Sequence, residues 1–287
     1  MSIRPLWEQH LHSSSEREEY TIPISTEVGL RISSDTKPHN LMIANLQKGL
    51  RFIYRGKEMV GEGTGFGVPV LLYSNDTYFS GSSRVSFSTK GNVHTIRKEY
   101  TMNKLQRKKM RGVKLENPIL RTVWKYLDRL YQKHRHLQPA FSHDILGKLH
   151  IHLEFVDTKS VGKVIATYSI EHDRIKVRID FDPIEKKGLR KIFVLNEQGS
   201  KLFRRYSDSC GAELVEREIG GWGIVEAESA CITDQQGKVG FQLWASRSGN
   251  LHRGREFVKN LADWIGLDYE ISPVNSVFEY KIKILGV

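Results

Sequence analysis

Carboxylates crowd one short stretch of the chain: Glu213, Glu216, Glu218, Glu226 and Glu228 surround the turn-like Gly220-Gly221-Trp222-Gly223. A hairpin turning at those glycines would bring Glu216 beside Glu226, or Glu213 beside Glu228, depending on register. Two carboxylates at close range drive their pKa values apart, so that one can act as general base and the other as general acid. Trp222 would give such a site a flat apolar surface on which a sugar ring can stack. The alternative is a solvated strand face balanced by Arg217, because carboxylates on strands usually point into water.

Three further groups have types and spacing that permit chemistry. His150, His152 and Glu154 share one face of a strand, with His134, His136 and His143 just upstream. Neutral imidazoles with one carboxylate suit zinc, iron or manganese; the competing reading is a solvated strand next to a histidine-rich helix end. Arg107, Lys108, Lys109 and Arg111 form the centre of a basic run from Lys104 to Lys114, which can bind a polyanion or can be an edge strand that lysine protects from pairing. No zinc-finger, RNA-recognition or helix-turn-helix spacing accompanies it, so nucleic acid rests on charge alone. Arg204, Arg205, Tyr206 and Asp208, with Arg247, His252, Arg253 and Arg255 further along and Trp244 nearby, combine guanidinium and aromatic groups that hold planar or anionic ligands. Such an arginine pair can equally be structural.

The glycines of Gly-Glu-Gly-Thr-Gly-Phe-Gly-Val-Pro, residues 61–69, recur at every second position. In a strand this strips one face of side chains, and a backbone, a large aromatic or a ligand ring can approach it. Val68-Pro69 stands where a phosphate-binding loop needs Gly-Lys-Ser/Thr, and the run leads into Val70-Leu71-Leu72-Tyr73, more strand, where a dinucleotide fingerprint would open a helix. The net charge of +11 favours an anionic partner without specifying one. No apolar run is long enough to span a bilayer as a helix, and the first ten residues lack the apolar core of a secretion signal. The expected compartment is the cytoplasm, with Cys210 and Cys231 reduced and buried or half-buried.

These groups must be positioned by strands. Residues 1–20 form a polar N-terminal segment, and 21–287 are expected to make a single large domain with a sub-boundary near 114–140. Arg55-Gly56-Lys57, Ser74-Asn75-Asp76 and Lys90-Gly91-Asn92 are turns between strands. Asn117 as N-cap and Pro118 at the first position start a central amphipathic helix that carries Ile119, Leu120, Val123, Trp124, Leu127, Leu130 and Tyr131 on one face. Residues 149–155, 175–182 and 278–284 alternate as half-buried strands, with further strands over 164–170, 191–195, 213–219, 224–232 and 239–244. A short helix is expected from Arg255 to Ile265, stopped by Gly266. Many short strands with regular turns specify a mainly β fold, a large antiparallel β-sandwich, over a parallel α/β sheet.

Gly-Phe-Gly-Val-Pro-Val at 65–70, Thr77-Tyr78-Phe79-Ser80, the long meander and Glu218-Ile219-Gly220-Gly221-Trp222-Gly223 together resemble the β-supersandwich of galactose-mutarotase-like proteins. The resemblance implies a carbohydrate ligand on a concave sheet face, and proton transfer by a histidine and a glutamate. It implies a carbohydrate-binding or carbohydrate-processing protein, of isomerase, epimerase or lyase type, and the charge of +11 points to an anionic sugar. Glu226 or Glu228 with His152 or His172 would be acid and base, and Trp222, Arg204, Arg205, Tyr206 and Arg253 would hold the ligand. No cofactor is expected. The alternative is a non-catalytic module binding an acidic polysaccharide or nucleic acid through Arg107, Lys108, Lys109 and Arg111.

Overall fold

The computed structural model describes residues 19–34, 49–59, 64–74, 76–104, 106–110, 153–156, 160–199, 201–258 and 262–287. In chain order the strands are β1 (Glu19–Pro23), β2 (Val28–Ser33), β3 (Arg51–Tyr54), β4 (Lys57–Glu58), β5 (Gly65–Tyr73), β6 (Thr77–Lys90), β7 (Val93–Lys104), β8 (Gln106–Met110), β9 (Leu153–Val156), β10 (Ser160–Glu171), β11 (Arg174–Asp180), β12 (Leu189–Gly199), β13 (Phe203–Asp208), β14 (Glu213–Val215), β15 (Gly223–Ile224), β16 (Ser229–Asp234), β17 (Gly240–Trp244), β18 (Gly249–Val258), β19 (Ala262–Ile271) and β20 (Val277–Leu285). Two compact units divide the chain: Met1–Lys104 with Lys159–Val287, and Leu105–Thr158. In the second unit, the described residues are β8 and β9, paired antiparallel.

The first unit holds a four-stranded sheet, β1-β2-β3-β4, and a fourteen-stranded sheet in the order β14-β13-β16-β17-β20-β11-β10-β7-β6-β5-β12-β19-β18-β15. Its long strands form because one face is apolar and the other polar. In β11, Ile175, Val177 and Ile179 are buried between exposed Arg174, Lys176 and Arg178. Phe278, Tyr280, Ile282 and Ile284 do the same in β20, which pairs with β11 so that Val177 faces Tyr280. Arg55 and Gly56 both have positive φ, 49° and 75°, as the tight turn from β3 to β4 requires.

The large sheet curls over on itself. Its edge strands, β14 and β15, are separated in sequence only by the eight steps from Val215 to Gly223, through a 3-10 turn at Glu216–Ile219. Eight residues reach at most about 29 Å, whereas fourteen strands laid flat would span roughly 60 Å. The enclosed face is filled by aromatic rings that meet edge to face: Phe52 of β3 on Phe203 of β13, Phe203 on Phe241 of β17, and Phe241 on Phe66 of β5, with centroids 5.0–5.5 Å apart. The fold is thus the large antiparallel β-sandwich that the strand pattern predicts.

Three expectations need correction. Residues 213–228 do not form a hairpin: β14 pairs with β13 and β15 pairs with β18, so the register that would couple Glu213 or Glu216 with Glu226 or Glu228 does not exist. The described residues of the expected helix at Arg255–Ile265 are strands: 255–258 end β18 and 262–265 begin β19, antiparallel neighbours with Gly254 directly opposite Gly266. Its apolar spacing suits a helix, but both halves are held along their length by ladders, and long-range pairing overrides local propensity. Cys210 is exposed in the turn after β13, while Cys231 is half-buried as expected. The central helix at 117–139 lies outside the described residues. Among the described residues, no helix is long and apolar enough to cross a membrane.

Candidate active site

The glycine run builds a bulge. Gly65 and Gly67 both have positive φ, 81° and 77°. A Cβ on Gly65 would lie 2.7 Å from the Leu50 carbonyl oxygen, and one on Gly67 2.5 Å from the Tyr168 hydroxyl. The bare face is therefore filled by a neighbouring backbone and a tyrosine, and Tyr168 seals the contact by donating to the Phe66 carbonyl at 2.9 Å. Gly61 and Gly63 lie outside the described residues. Between β5 and β12 the register slips here, so that Leu195 faces Val68 and Asn196 faces Phe66, leaving Gly67 extra.

The slip reorganises the polar groups of Asn196, which is fully buried. Its side-chain oxygen accepts from the Gly67 amide at 3.1 Å and the Tyr280 hydroxyl at 2.7 Å. Its side-chain nitrogen donates to the Leu267 carbonyl at 3.0 Å. The backbone N–H of Asn196 donates to the Asp268 carboxylate at 2.7 Å. A bulge thus fixes one carboxylate, as bulges beside functional sites commonly do.

The next residue along β12 supplies a second. Glu197 sits across from Gly65 on one side and Gly266 on the other, and Gly266 faces Gly254 in turn. Residues directly opposite share a face, so Glu197 looks along a row of glycines. Asp268 is two residues beyond Gly266 and belongs to the same face, where it stands opposite His252. Glu256, two beyond Gly254 and opposite Trp264, completes the group. A Cβ at Gly254 would lie 2.5 Å from the Trp222 ring, so the indole lies on the bare backbone there, and its Nε1 donates to the Glu256 carboxylate at 3.1 Å. Trp264 Nε1 and His252 Nε2 are buried and, among the described residues, have no hydrogen-bond partner.

Burial governs the charge state of this cluster. Loss of water pushes the Glu197 carboxyl up to about 7, against the hydrogen bond that it accepts from Thr64 Oγ1 at 3.2 Å, and the Glu256 charge adds to the rise. Asp268 is raised well above the usual carboxylate range, first by burial and then by the charges of Glu197 and Glu256, with the Asn196 amide opposing. Two neighbouring buried carboxyls that resist ionising together can pass one proton back and forth between a donor and an acceptor role. The indoles of Trp222 and Trp264 give the same face apolar surface. Glu270 at its far end is held by Lys191 at 2.7 Å and lies 3.8 Å from His252 Nε2.

Residues nominated from the sequence fall in several places. Trp222 belongs to this cluster. Glu226 and Glu228 are exposed, and His172 is exposed in the tight turn between β10 and β11, with φ 54°. Arg204 pairs with Glu216 and Arg205 with Glu213, each at 3.2 Å. Tyr206 donates to Asp208 at 2.7 Å beneath the Arg253 guanidinium, which donates to the Ile219 carbonyl. Of the four nominated groups, Arg204 and Arg205 are thus held by glutamates, and Tyr206 and Arg253 stack on one another. In the second unit Arg107 faces Phe155 and Lys108 faces Glu154 in the β8–β9 ladder; Lys109 is on β8, and Arg111, His150 and His152 lie outside the described residues. Among the described residues, no three His, Cys, Asp or Glu side chains gather at metal-binding range. Asn196-Glu197-Gln198 carried the missed signal: three polar residues in a row continue the apolar Ile192–Leu195, so some must be buried.

No family model and no curated protein matches the chain. Solved structures do. The architecture resembles that of galactose-mutarotase-like proteins. A galactose mutarotase-like protein from Lactobacillus casei is 9% identical, with a TM-score of 0.38 over 93% of this chain and 99% of that one. A galactose mutarotase related enzyme from Lactobacillus acidophilus is 6% identical, with a TM-score of 0.36 over 93% and 97%. The alpha-N-acetylgalactosaminidase NagBb from Bifidobacterium bifidum is 6% identical, with a TM-score of 0.49; 93% of this chain aligns with 36% of that enzyme's length.

Proposed function

We propose that the protein binds a sugar on the face carrying Trp222 and Trp264 and isomerises it by general acid/base catalysis through Glu197 and Asp268. The observation that carries this reading is the juxtaposition of two buried carboxyls, both raised by burial, on a face where Gly266 and Gly254 make room for Glu197 and for the Trp222 ring. In the reaction, the protonated member gives its proton to the ring oxygen while the ionised member takes the proton of the anomeric hydroxyl. The bond between the anomeric carbon and the ring oxygen breaks, leaving an open-chain aldehyde. Rotation about the adjacent carbon–carbon bond and reversal of both transfers close the ring with the other configuration, and the pair ends with the proton count it began with. A pKa near the working pH suits both roles. Four carboxylates on this face, Glu197, Glu256, Asp268 and Glu270, favour a neutral ring here over an anionic one.

The test is exchange between α and β anomers followed by NMR for a panel of neutral aldoses and uronic acids. The expected result is catalysed exchange of one neutral aldose, reduced at least a hundredfold in Glu197→Gln and in Asp268→Asn while ligand-induced stabilisation persists. Exchange that is equal in wild type and both variants would remove the reading.

A further inference from the structure

The outer face of strands β10, β11, β17 and β20 carries a half-open groove of about 880 Å³ that shares no residue with the carboxyl cluster. Its lining contains five cations, Arg174, Lys176, Arg247, Lys281 and Lys283, against two carboxylates, Glu171 and Glu279. Glu279 is already committed: Lys176 lies 3.2 Å and Arg178 2.7 Å from it, and these cations hold its carboxyl below the usual range. Among the described residues, Lys281, Lys283 and Arg247 make no ion pair, and Arg174, 84% exposed, only reaches the adjacent Asp173 at 4.0 Å. Four cations are therefore gathered in one concavity whose remaining carboxylate is Glu171, directly opposite Arg174.

Their spacing is set by the sheet. Arg174 stands directly opposite Lys283, and Lys176 opposite Lys281. Opposite residues are about 5 Å apart and alternate residues along a strand about 7 Å apart, so the four side chains leave the sheet from a regular lattice of positions. Trp244 stands at the end of it, 37% exposed, on the same face as Gln242, which pairs with Lys283. The strand end is fixed where the Tyr269 hydroxyl donates to the Trp244 carbonyl at 2.6 Å. Ser169, Gln242 and Ser246 add small polar groups to the walls.

We infer that this groove is a second binding site, for an acidic oligosaccharide. Carboxylates repeated along a sugar chain meet the cation lattice, Trp244 stacks on one ring, and the serines and Gln242 pair with ring hydroxyls. Single-stranded nucleic acid is held by successive aromatic platforms along a basic track, and this groove exposes one. The site would tether the protein to an acidic glycan while the carboxyl cluster handles a neutral ring.

The probe is a hexamer of galacturonic acid, titrated by tryptophan fluorescence against the full chain at low and raised salt, with a neutral glucose hexamer and a thymidine hexanucleotide as comparisons. The expected result is binding of the galacturonate hexamer, weakened at least tenfold in Lys281→Gln/Lys283→Gln with a shallower salt dependence, weakened in Trp244→Ala, and unchanged in Glu197→Gln. These side chains stand on the exposed face of paired strands, and an unchanged thermal unfolding curve for each variant verifies the fold. Failure to bind, binding indifferent to the two lysines, or tighter binding of the oligonucleotide that ignores Trp244 would each overturn the proposal. Because Glu197→Gln leaves this site intact, loss of the isomerase reading would leave the groove standing, and the reverse holds.

Discussion

Replacing Glu197 with Gln removes an ionisation that the fold resists, and its effect on stability can be worked out with its sign. In the unfolded chain the carboxyl titrates near its ordinary value of 4.5; in the folded protein burial raises it to about 7. Between those limits the folded state holds more protons than the unfolded one, so stability is greatest below the unfolded value and falls as pH rises through the folded value. At about 1.4 kcal/mol for each pH step, the loss approaches about 3 kcal/mol, fully expressed above about pH 7. Asp268 shifts in the same direction and partly because of Glu197, so removing the Glu197 charge relieves Asp268 as well. Gln keeps the shape and does not titrate. Urea unfolding of both proteins from pH 4 to pH 8.5 should therefore show the variant gaining on wild type by about 3 kcal/mol as pH rises, a shift of roughly 1 M or more in midpoint. A stability difference that stays constant across that range, or that moves in favour of wild type at high pH, would refute the burial argument.

Three substitutions probe the elements that position the pair. Asn196→Ala strands the Gly67 amide, the Tyr280 hydroxyl and the Leu267 carbonyl in the core, and should lower stability by about 3 kcal/mol in chemical denaturation, since each orphaned buried group costs about 1–3 kcal/mol. Gly67→Ala places a Cβ 2.5 Å from the Tyr168 hydroxyl at a φ of +77°, and should cost about 2 kcal/mol or more, read as a lower thermal midpoint. Gly254→Val should push the Trp222 ring off the strand and break its bond to Glu256, seen as a red-shifted tryptophan emission and a loss of about 1–3 kcal/mol.

The legible parts of the fold are those written locally. Ile175-Lys176-Val177-Arg178-Ile179 and Phe278-Glu279-Tyr280-Lys281-Ile282 alternate because one face is core and the other water, and both are strands as expected. The tight turn at Arg55-Gly56 is likewise local. Arg255–Ile265 misleads because its apolar residues suit a helical stripe, whereas the cause of its strands is distant: Trp222 needs Gly254 bare, and Glu197 lies against Gly266. The carboxyl cluster was hidden for the same reason. Glu197 and Asp268 lie 71 residues apart, and Thr64 reaches Glu197 from a sequence separation of 133. The acidic stretch around Gly220 attracts notice because its glutamates are close in sequence, yet their closeness reflects exposure; Glu213, Glu226 and Glu228 all stand in solvent. Trp222 stands out in the sequence, whereas its hydrogen bond to Glu256, 34 residues away, leaves no local trace.

The claim that Glu197 and Asp268 form a working acid/base pair is tested most directly by the pH dependence of kcat/KM for anomer exchange of the aldose found to turn over. The account predicts a profile with a limb near pH 7 that belongs to the pair, and its disappearance in Glu197→Gln together with most of the rate. A profile without an ionisation between about pH 6 and pH 8, or one that Glu197→Gln leaves in place, would contradict it.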